Sequence, residues 1–308
     1  MLTRLLGITS SVLSLLVMMT TILAAAGSST ELQRMLDKFV SPYVNSQNFS
    51  GAILVAHNGT VVFSKGYGMA NLENAVAVIP ETKFYIASVS KSFTAAAILL
   101  LQERGLLGVN DPVSRFIPDY RNGDKITIHQ LLVHTAGLPR LVFSPDFMEL
   151  SKQSYTTKQA VALFSDKPLA AQPGERSRYS NSNYVLLAYI IELVSGMNYG
   201  EFLKVNLLEP LEMPNTGHRA SSKELVTASG YDPIDINDLE NSRYFDYSIF
   251  VGAGSLYSTT RDLYKWMAGI FWGGVLQPGS IEQMLTKHVG RRGYGWNHNQ
   301  RGTESDWT

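Results

Sequence analysis

Apolar positions recur along the chain at several spacings, and each spacing predicts a different element. Leu32, Met35, Leu36, Phe39 and Val40 fall at i, i+3, i+4, i+7 and i+8 with polar residues between them, which predicts an amphipathic helix over 31–44. Over 51–57 and 60–64 the chain is densely apolar and β-branched instead. The two runs are divided by Asn58-Gly59, a pair suited to the positive φ angles of a tight hairpin turn, so two antiparallel strands are expected. Residues 88–104 are apolar on nearly all sides, through Phe93, Ala95 to Ala97 and Ile98 to Leu101, and Gly105 follows as a stop. That helix belongs in a core, yet its first turn carries Ser88, Ser90, Lys91 and Ser92, and those polar residues need a reason. Beyond it, Pro112, Pro118, Pro139, Pro145, Pro168 and Pro173 punctuate short helical patterns, and a longer helix is expected over 184–194, ending at Gly196. Residues from about 105 to 250 read as mainly helical. Residues 249–258 read as a Gly-rich loop or strand and 260–271 as one more helix, with no repeat or low-complexity tract anywhere.

The first 26 residues stand apart: Arg4, an apolar run from Leu5 to Leu23, then Ala24, Ala25 and Ala26. This is the layout of a signal peptide with small residues for the peptidase, and it predicts a secreted or periplasmic protein. The alternative is an uncleaved anchor, since the run approaches the roughly 20 residues that span a bilayer; membrane contact is expected only in that case.

Composition narrows the chemistry. With 308 residues, 45% hydrophobic, the chain is globular and long enough for a well-buried core. Its 26 Lys+Arg balance 26 Asp+Glu, without a basic run, which removes nucleic acid as a partner. There is no cysteine, so disulfides, thiol nucleophiles and Cys-ligated zinc are excluded. The six histidines show no close metal-ligand spacing, and no metal or cofactor is expected. The α/β-hydrolase elbow G-x-S-x-G is absent as well.

Two clusters could carry chemistry. In Ser88-Val89-Ser90-Lys91 the serine and lysine share one face of the helix's first turn, and lysine becomes a base if burial lowers its pKa. The bland alternative has Ser88 or Ser90 capping the helix while Lys91 lays its stem over the surface. Tyr179-Ser180-Asn181 sits on a loop before the 184–194 helix. There a phenol could shuttle a proton and an amide could hold substrate or lysine; equally, Asn181, Ser182 or Asn183 could cap the helix while Tyr179 packs as a staple. His134-Thr135-Ala136-Gly137 is read as a helix end and tight turn, with His134 bonded locally.

Taken together, Phe84-Tyr85-Ile86-Ala87-Ser88-Val89-Ser90-Lys91, Leu131-Leu132-Val133-His134-Thr135-Ala136-Gly137-Leu138-Pro139, Tyr179-Ser180-Asn181 and Glu209-Pro210-Leu211 resemble the serine beta-lactamase-related family: class C beta-lactamases, D-alanyl-D-alanine peptidases and esterases. The resemblance covers nearly the whole mature chain, up to Tyr294-Gly295-Trp296. It implies an α+β fold, an antiparallel sheet flanked by helices with a mainly helical domain inserted: 27–80 and 251–308 in the sheet domain, 81–250 in the helical domain. It implies Ser88 as nucleophile, Lys91 as its partner in proton transfer, Tyr179 as general base and acid, and Asn181 as a contact to substrate or lysine. The expected activity is hydrolysis of an ester, peptide or beta-lactam carbonyl in a small molecule or peptide through an acyl-enzyme; the alternative is a protein that binds cell-wall peptide or penicillin and acylates slowly or not at all. Two departures qualify this. Leu141 stands where class C lactamases place a glutamine, which weakens the antibiotic-degrading reading. The family's third motif, Lys or His, a small residue and Gly, does not follow Tyr294-Gly295-Trp296 before Thr308; His288-Val289-Gly290 precedes it and is read as a loop. The sheet domain is therefore expected to be incomplete, with poor turnover for want of a second oxyanion donor.

Overall fold

The computed structural model describes residues 29–46, 49–218, 228–235 and 238–298. The predicted signal peptide lies outside them. Among the described residues no helix is long and apolar enough to cross a membrane. The chain forms two compact units, the first ending at Pro80 and the second starting at Glu81.

The first unit follows its sequence pattern closely. Helix α1 (Ser29–Asn45) buries Leu32, Leu36 and Val40, one stripe at intervals of four, against Phe63 and Tyr67. Those two residues come from the second strand of a hairpin, β1 (Gly51–His57) and β2 (Thr60–Tyr67), which pairs antiparallel from Gly51↔Tyr67 to His57↔Thr60. Its turn has Asn58 at φ 49° and Gly59 at φ 74°, the pair of left-handed residues expected from the sequence. The helix is tied to β2 by polar contacts too: Asp37 accepts from Lys65 Nζ at 2.8 Å and Tyr67 OH at 2.6 Å. A short ladder of β3 (Met69–Asn71) and β4 (Val76–Ala77) completes the unit.

The second unit opens with β5 (Phe84–Tyr85), a 3-10 turn over Ala87–Val89, and helix α2 (Ser90–Glu103). Then come α3 (Ile128–Leu132), α4 (Phe147–Leu150), α5 (Thr157–Ser165), α6 (Asn181–Ser195) and α7 (Tyr199–Leu203), the last running into a π turn. Strands β6 (Gly217–His218), β7 (Tyr231–Asp235), β8 (Asp238–Asn241) and β9 (Leu256–Ser258) precede helices α8 (Thr260–Phe271) and α9 (Pro278–Leu285). Strand β9 is central in an antiparallel β5-β9-β6 sheet, and β7 pairs with β8 in a separate hairpin. The expected mainly helical stretch thus also holds strands. Tyr231-Asp232-Pro233 and Asp238-Leu239-Glu240 lack the β-branched alternation that announces a strand, which is why the pattern missed them.

The core of this unit is α2 packed on α6, with α3 and α5 against α6 and α9 against α2. Phe93, Ile98, Leu99 and Leu101 of α2 are fully buried with Tyr184, Leu186, Leu187 and Ile190 of α6. Each such side chain contributes about 1.5–3 kcal/mol by leaving water, so the helices that carry the polar residues of interest are anchored on rigid ground. Helix α6 ends as predicted at Gly196, in the left-handed conformation at φ 69°.

Candidate active site

The site begins where the expected helix does not. The apolar pattern starts a helix at Ser88, whereas the chain takes a 3-10 turn over Ala87–Val89 and becomes α-helical only at Ser90. Val89 N–H closes that turn on Ile86 O at 3.1 Å, and Ala87 enters it at φ 43°. A tighter turn brings positions three apart nearly into line. Ser88 accordingly stands beside Lys91, with Nζ 3.2 Å from the serine Oγ.

The other polar residues of this turn are spoken for. Ser90 is fully buried and its Oγ accepts the Leu256 N–H of β9 at 3.2 Å. Ser92 accepts from Trp266 Nε1 at 3.0 Å and donates to Val89 O at 2.8 Å. No side chain caps either the 3-10 turn or α2, so the capping alternative for Ser88 and Ser90 is corrected. The surface alternative for Lys91 fails as well, because only 3% of the residue is exposed.

Lys91 reaches inward to Asn181 Oδ1 at 2.9 Å and the Ala253 carbonyl at 2.6 Å. The rings of Tyr179 and Tyr184 lie 4.8 and 5.6 Å from Nζ. Every acceptor is neutral. Burial without a counter-charge disfavours the ammonium, and the lysine pKa falls from 10.5 to about 7.

Tyr179 closes the arrangement from the loop before α6, its OH 2.6 Å from Ser88 Oγ. It is therefore no staple. Burial pushes the phenol up, opposed by the hydrogen bond to Ser88 and then by the charges of Arg292 and Arg140. Asn181, Ser182 and Asn183 do not cap α6 either: Asn181 holds Lys91, Ser182 donates to Pro139 O at 2.7 Å, and Asn183 Nδ2 meets His134 Nδ1 at 3.0 Å. His134 itself is not bonded locally as expected. Held at φ 61° and 4% exposed, it takes Ser180 N–H on the same Nδ1 at 3.3 Å and sets its ring 4.5 Å from that of Tyr179. An Nδ1 that accepts carries no proton, and burial, with Arg292 and Lys91 nearby, holds this histidine neutral well below its usual range. Nothing in the local sequence announces a bond across 46 residues.

Ser88, Lys91, Ser92, His134, Tyr179 and Tyr184 line a cavity of about 570 Å³ whose other walls include Trp266, Leu263 and Met267 of α8 and Arg292, Gly293, Gly295, Trp296 and Asn297. Among the described residues that line it there is no aspartate or glutamate. Gly295, at φ 76°, passes so close to α2 that a Cβ would sit 2.7 Å from Lys91 O and 2.8 Å from Ser92 Cα. Tyr184 OH, beside it, donates to Leu132 O at 2.8 Å. His288-Val289-Gly290 is a turn, as expected, with Val289 bridged to Arg292. Leu141 is buried beside Phe147 and Ile249 and contributes nothing to the cavity. Among the described residues no cluster of His, Asp and Glu could hold a metal.

This fold recurs in known proteins. The beta-lactamase family model matches residues 36–307. A putative penicillin-binding protein, PbpX, of Bacillus subtilis (strain 168) is 32% identical over 253 residues, covering 80% of this chain and 61% of its own. The chain thus spans less than two thirds of the length of that relative. Among solved structures, a penicillin-binding protein from Bacillus halodurans superposes with a TM-score of 0.75 at 28% identity, over 86% of this chain and 85% of that one. A D-stereospecific amidohydrolase from a Streptomyces species gives 0.64 at 27% identity, over 73% and 74%. The chain belongs to the beta-lactamase family, within the serine beta-lactamase/transpeptidase superfamily that also holds penicillin-binding proteins and D-amino acid amidases.

Proposed function

We propose that the protein is a serine hydrolase working through an acyl-enzyme on an ester, peptide or beta-lactam carbonyl, with Ser88 as nucleophile. One observation carries this reading: Tyr179 OH, Ser88 Oγ and Lys91 Nζ form a continuous row of proton-exchanging groups, 2.6 and 3.2 Å apart, ending on an amine with a pKa of about 7. In the reactive state that amine is neutral. Tyr179 then donates to Ser88, and Ser88 to Lys91; moving both protons one place along leaves an ammonium at Lys91 and a phenolate facing the Ser88 hydroxyl. Ser88 Oγ bonds to the carbonyl carbon as its proton passes to the phenolate, and Tyr179 returns that proton to the leaving atom. A water repeats the sequence in reverse to release the acid. Positioned proton transfer of this kind is worth roughly 10²–10⁴ in rate. Asn181 keeps Lys91 aimed at the serine.

Intact-mass analysis after treatment with a fluorophosphonate or a fluorescent penicillin tests the reading. Wild type and Ser90→Ala should gain one probe mass and Ser88→Ala none; labelling of Ser88→Ala with loss in Ser90→Ala would overturn it. A second reading, a penicillin- or peptide-binding protein that acylates slowly or not at all, draws on the name of the Bacillus subtilis relative. Decay of the penicillin adduct with time favours hydrolysis, and an adduct that persists favours binding. Residues 1–26 support a secreted or periplasmic location, which N-terminal sequencing of the exported protein tests.

A further inference from the structure

Arg292 is half-buried in the wall of the cavity, and nothing about the row of proton-exchanging groups asks for it there. Its Nε donates to Ser177 Oγ at 3.0 Å and its Nη1 to Asn297 Oδ1 at 3.2 Å. Ser177 lies two residues before Tyr179, so the guanidinium fastens the tyrosine's own loop to the segment that carries Gly295 and Trp296. Its carbon stands 5.5 Å from the centre of the Tyr179 ring. Neither tether is an acid, and no ion pair is formed with it among the described residues. Among the described residues no acid balances this positive charge beside the phenol.

We infer that Arg292 is a positioning residue for Tyr179, pinning its loop through Ser177 and Asn297 and presenting a fixed positive charge to the ring so that the phenol oxygen can carry negative charge opposite Ser88. The inference rests on the role proposed above for Tyr179. The charged and titratable groups that face this phenol are Lys91 from α2, His134 from the turn after α3, Arg140 beyond Pro139, Tyr184 of α6, and Arg292. His134 is neutral, Lys91 becomes an ammonium only as the phenolate forms, and Tyr184 is pushed further toward its neutral form by burial. Among the described residues only the two arginines supply permanent charge there, and both oppose the upward push of burial on Tyr179, Arg292 more than Arg140. A guanidinium cannot lose its proton in a protein, so its effect is constant with pH. Arg140 differs in having its plane over Phe143, 4.0 Å from that ring, with no hydrogen bond to the tyrosine's loop.

The decisive measurement is the titration of Tyr179 itself, read by NMR of tyrosine labelled with ¹³C at Cζ and assigned by the signal that Tyr179→Phe removes. This readout does not depend on whether Ser88 is ever acylated. Arg292→Gln should move the Tyr179 titration up by about one pH unit or more, a tenfold loss of phenolate at any given pH. Arg292→Lys restores the charge without the two-pronged tether and should recover most of the shift. Ser177→Ala removes one tether, keeps the charge and should move it least. An unchanged Tyr179 titration in Arg292→Gln would overturn the inference, as would Arg292→Lys behaving like Arg292→Gln. Labelling of Ser88 by the fluorophosphonate is followed in the same variants. Its rate should fall about tenfold in Arg292→Gln at every pH, with the acid limb left where Lys91 sets it, and recover in Arg292→Lys. A loss of labelling that Arg292→Lys does not recover would make Arg292 a purely structural tether and sink the inference. Absence of labelling in wild type would instead overturn the proposed function, and the Tyr179 titration would still decide the place of Arg292.

Discussion

Two charged side chains of the second unit occupy nearly the same local position with opposite consequences. Asp262 is the third residue of α8 and Lys91 the second of α2, and both are buried, at 2% and 3% exposure. The N-terminus of a helix carries partial positive charge, so an anion is welcome there and a cation is not. Asp262 sits with that preference: its Oδ2 accepts Asn215 N–H at 2.8 Å and Thr216 Oγ1 at 2.9 Å, behind a Thr259 cap. Lys91 sits against it, facing neutral acceptors in an uncapped first turn. Folding alone explains the aspartate. The lysine is held where its charged form is unstable, and that instability is what makes a base available near neutral pH.

The contrast can be broken most forcefully at Lys91. Arginine keeps the charge but cannot release a proton, so Lys91→Arg is expected to lose probe labelling nearly as fully as Lys91→Ala, by roughly 10²–10⁴-fold. Near-normal labelling of the arginine variant would reduce Lys91 to an electrostatic attractor. Asp262→Ala should act on stability instead: two buried donors lose their acceptor, at about 1–3 kcal/mol each, so denaturant unfolding should report a loss of roughly 2–6 kcal/mol. The folded fraction should still label at the wild-type rate.

A pH series sharpens the contrast further. The lysine pKa is about 7 in the folded chain against 10.5 for the ordinary side chain, so between these values the unfolded state holds a proton that the native state lacks. Stability from this group therefore rises with pH, and its cost is fully present below about pH 7. Lys91→Met removes the cost, so its stability advantage over wild type should be largest near pH 6–7 and shrink by about 1.4 kcal/mol per unit as pH rises above 7. A pH-independent difference would mean that Lys91 is not depressed. The smallest effect belongs to the helix caps. Thr259→Ala should cost ~1 kcal/mol by freeing the Asp262 N–H it accepts at 3.3 Å, a loss for which α2, having no such cap, offers no counterpart.

How much of this could be read in advance follows the range of the interactions. The α1 stripe, the Asn58-Gly59 turn, the Gly196 stop and helix α8 are local in origin, and pattern alone located them. Ser88 and Lys91 were legible because a spacing of three is itself a geometric statement, and Tyr179 with Asn181 because their order matched a family. The 3-10 turn was not legible: Ser88-Val89-Ser90 is as compatible with α as with 3-10 geometry, and the choice is made by the Leu256 N–H and Trp266 contacts that hold Ser90 and Ser92. The Ala253 carbonyl that receives Lys91 stands 162 residues away, and backbone acceptors leave no mark in residue type. Arg292 was invisible and the bonding of His134 was misread for the same reason. Each acts through partners distant in sequence, Ser177 for one and Asn183 for the other.

The close passage of Gly295 over the first turn of α2 bears on how this protein can vary. Any single-base change in a glycine codon that alters the residue brings in at least a Cβ, or ends the chain. At this codon that carbon meets the backbone of Lys91 and Ser92 rather than the yielding tip of a side chain, and it also enters a left-handed conformation that other residues resist. Position 295 thus has no conservative neighbour within one mutational step. Change in the cavity wall is left to positions such as Leu263 and Met267 of α8, while the backbone facing Lys91 stays as it is.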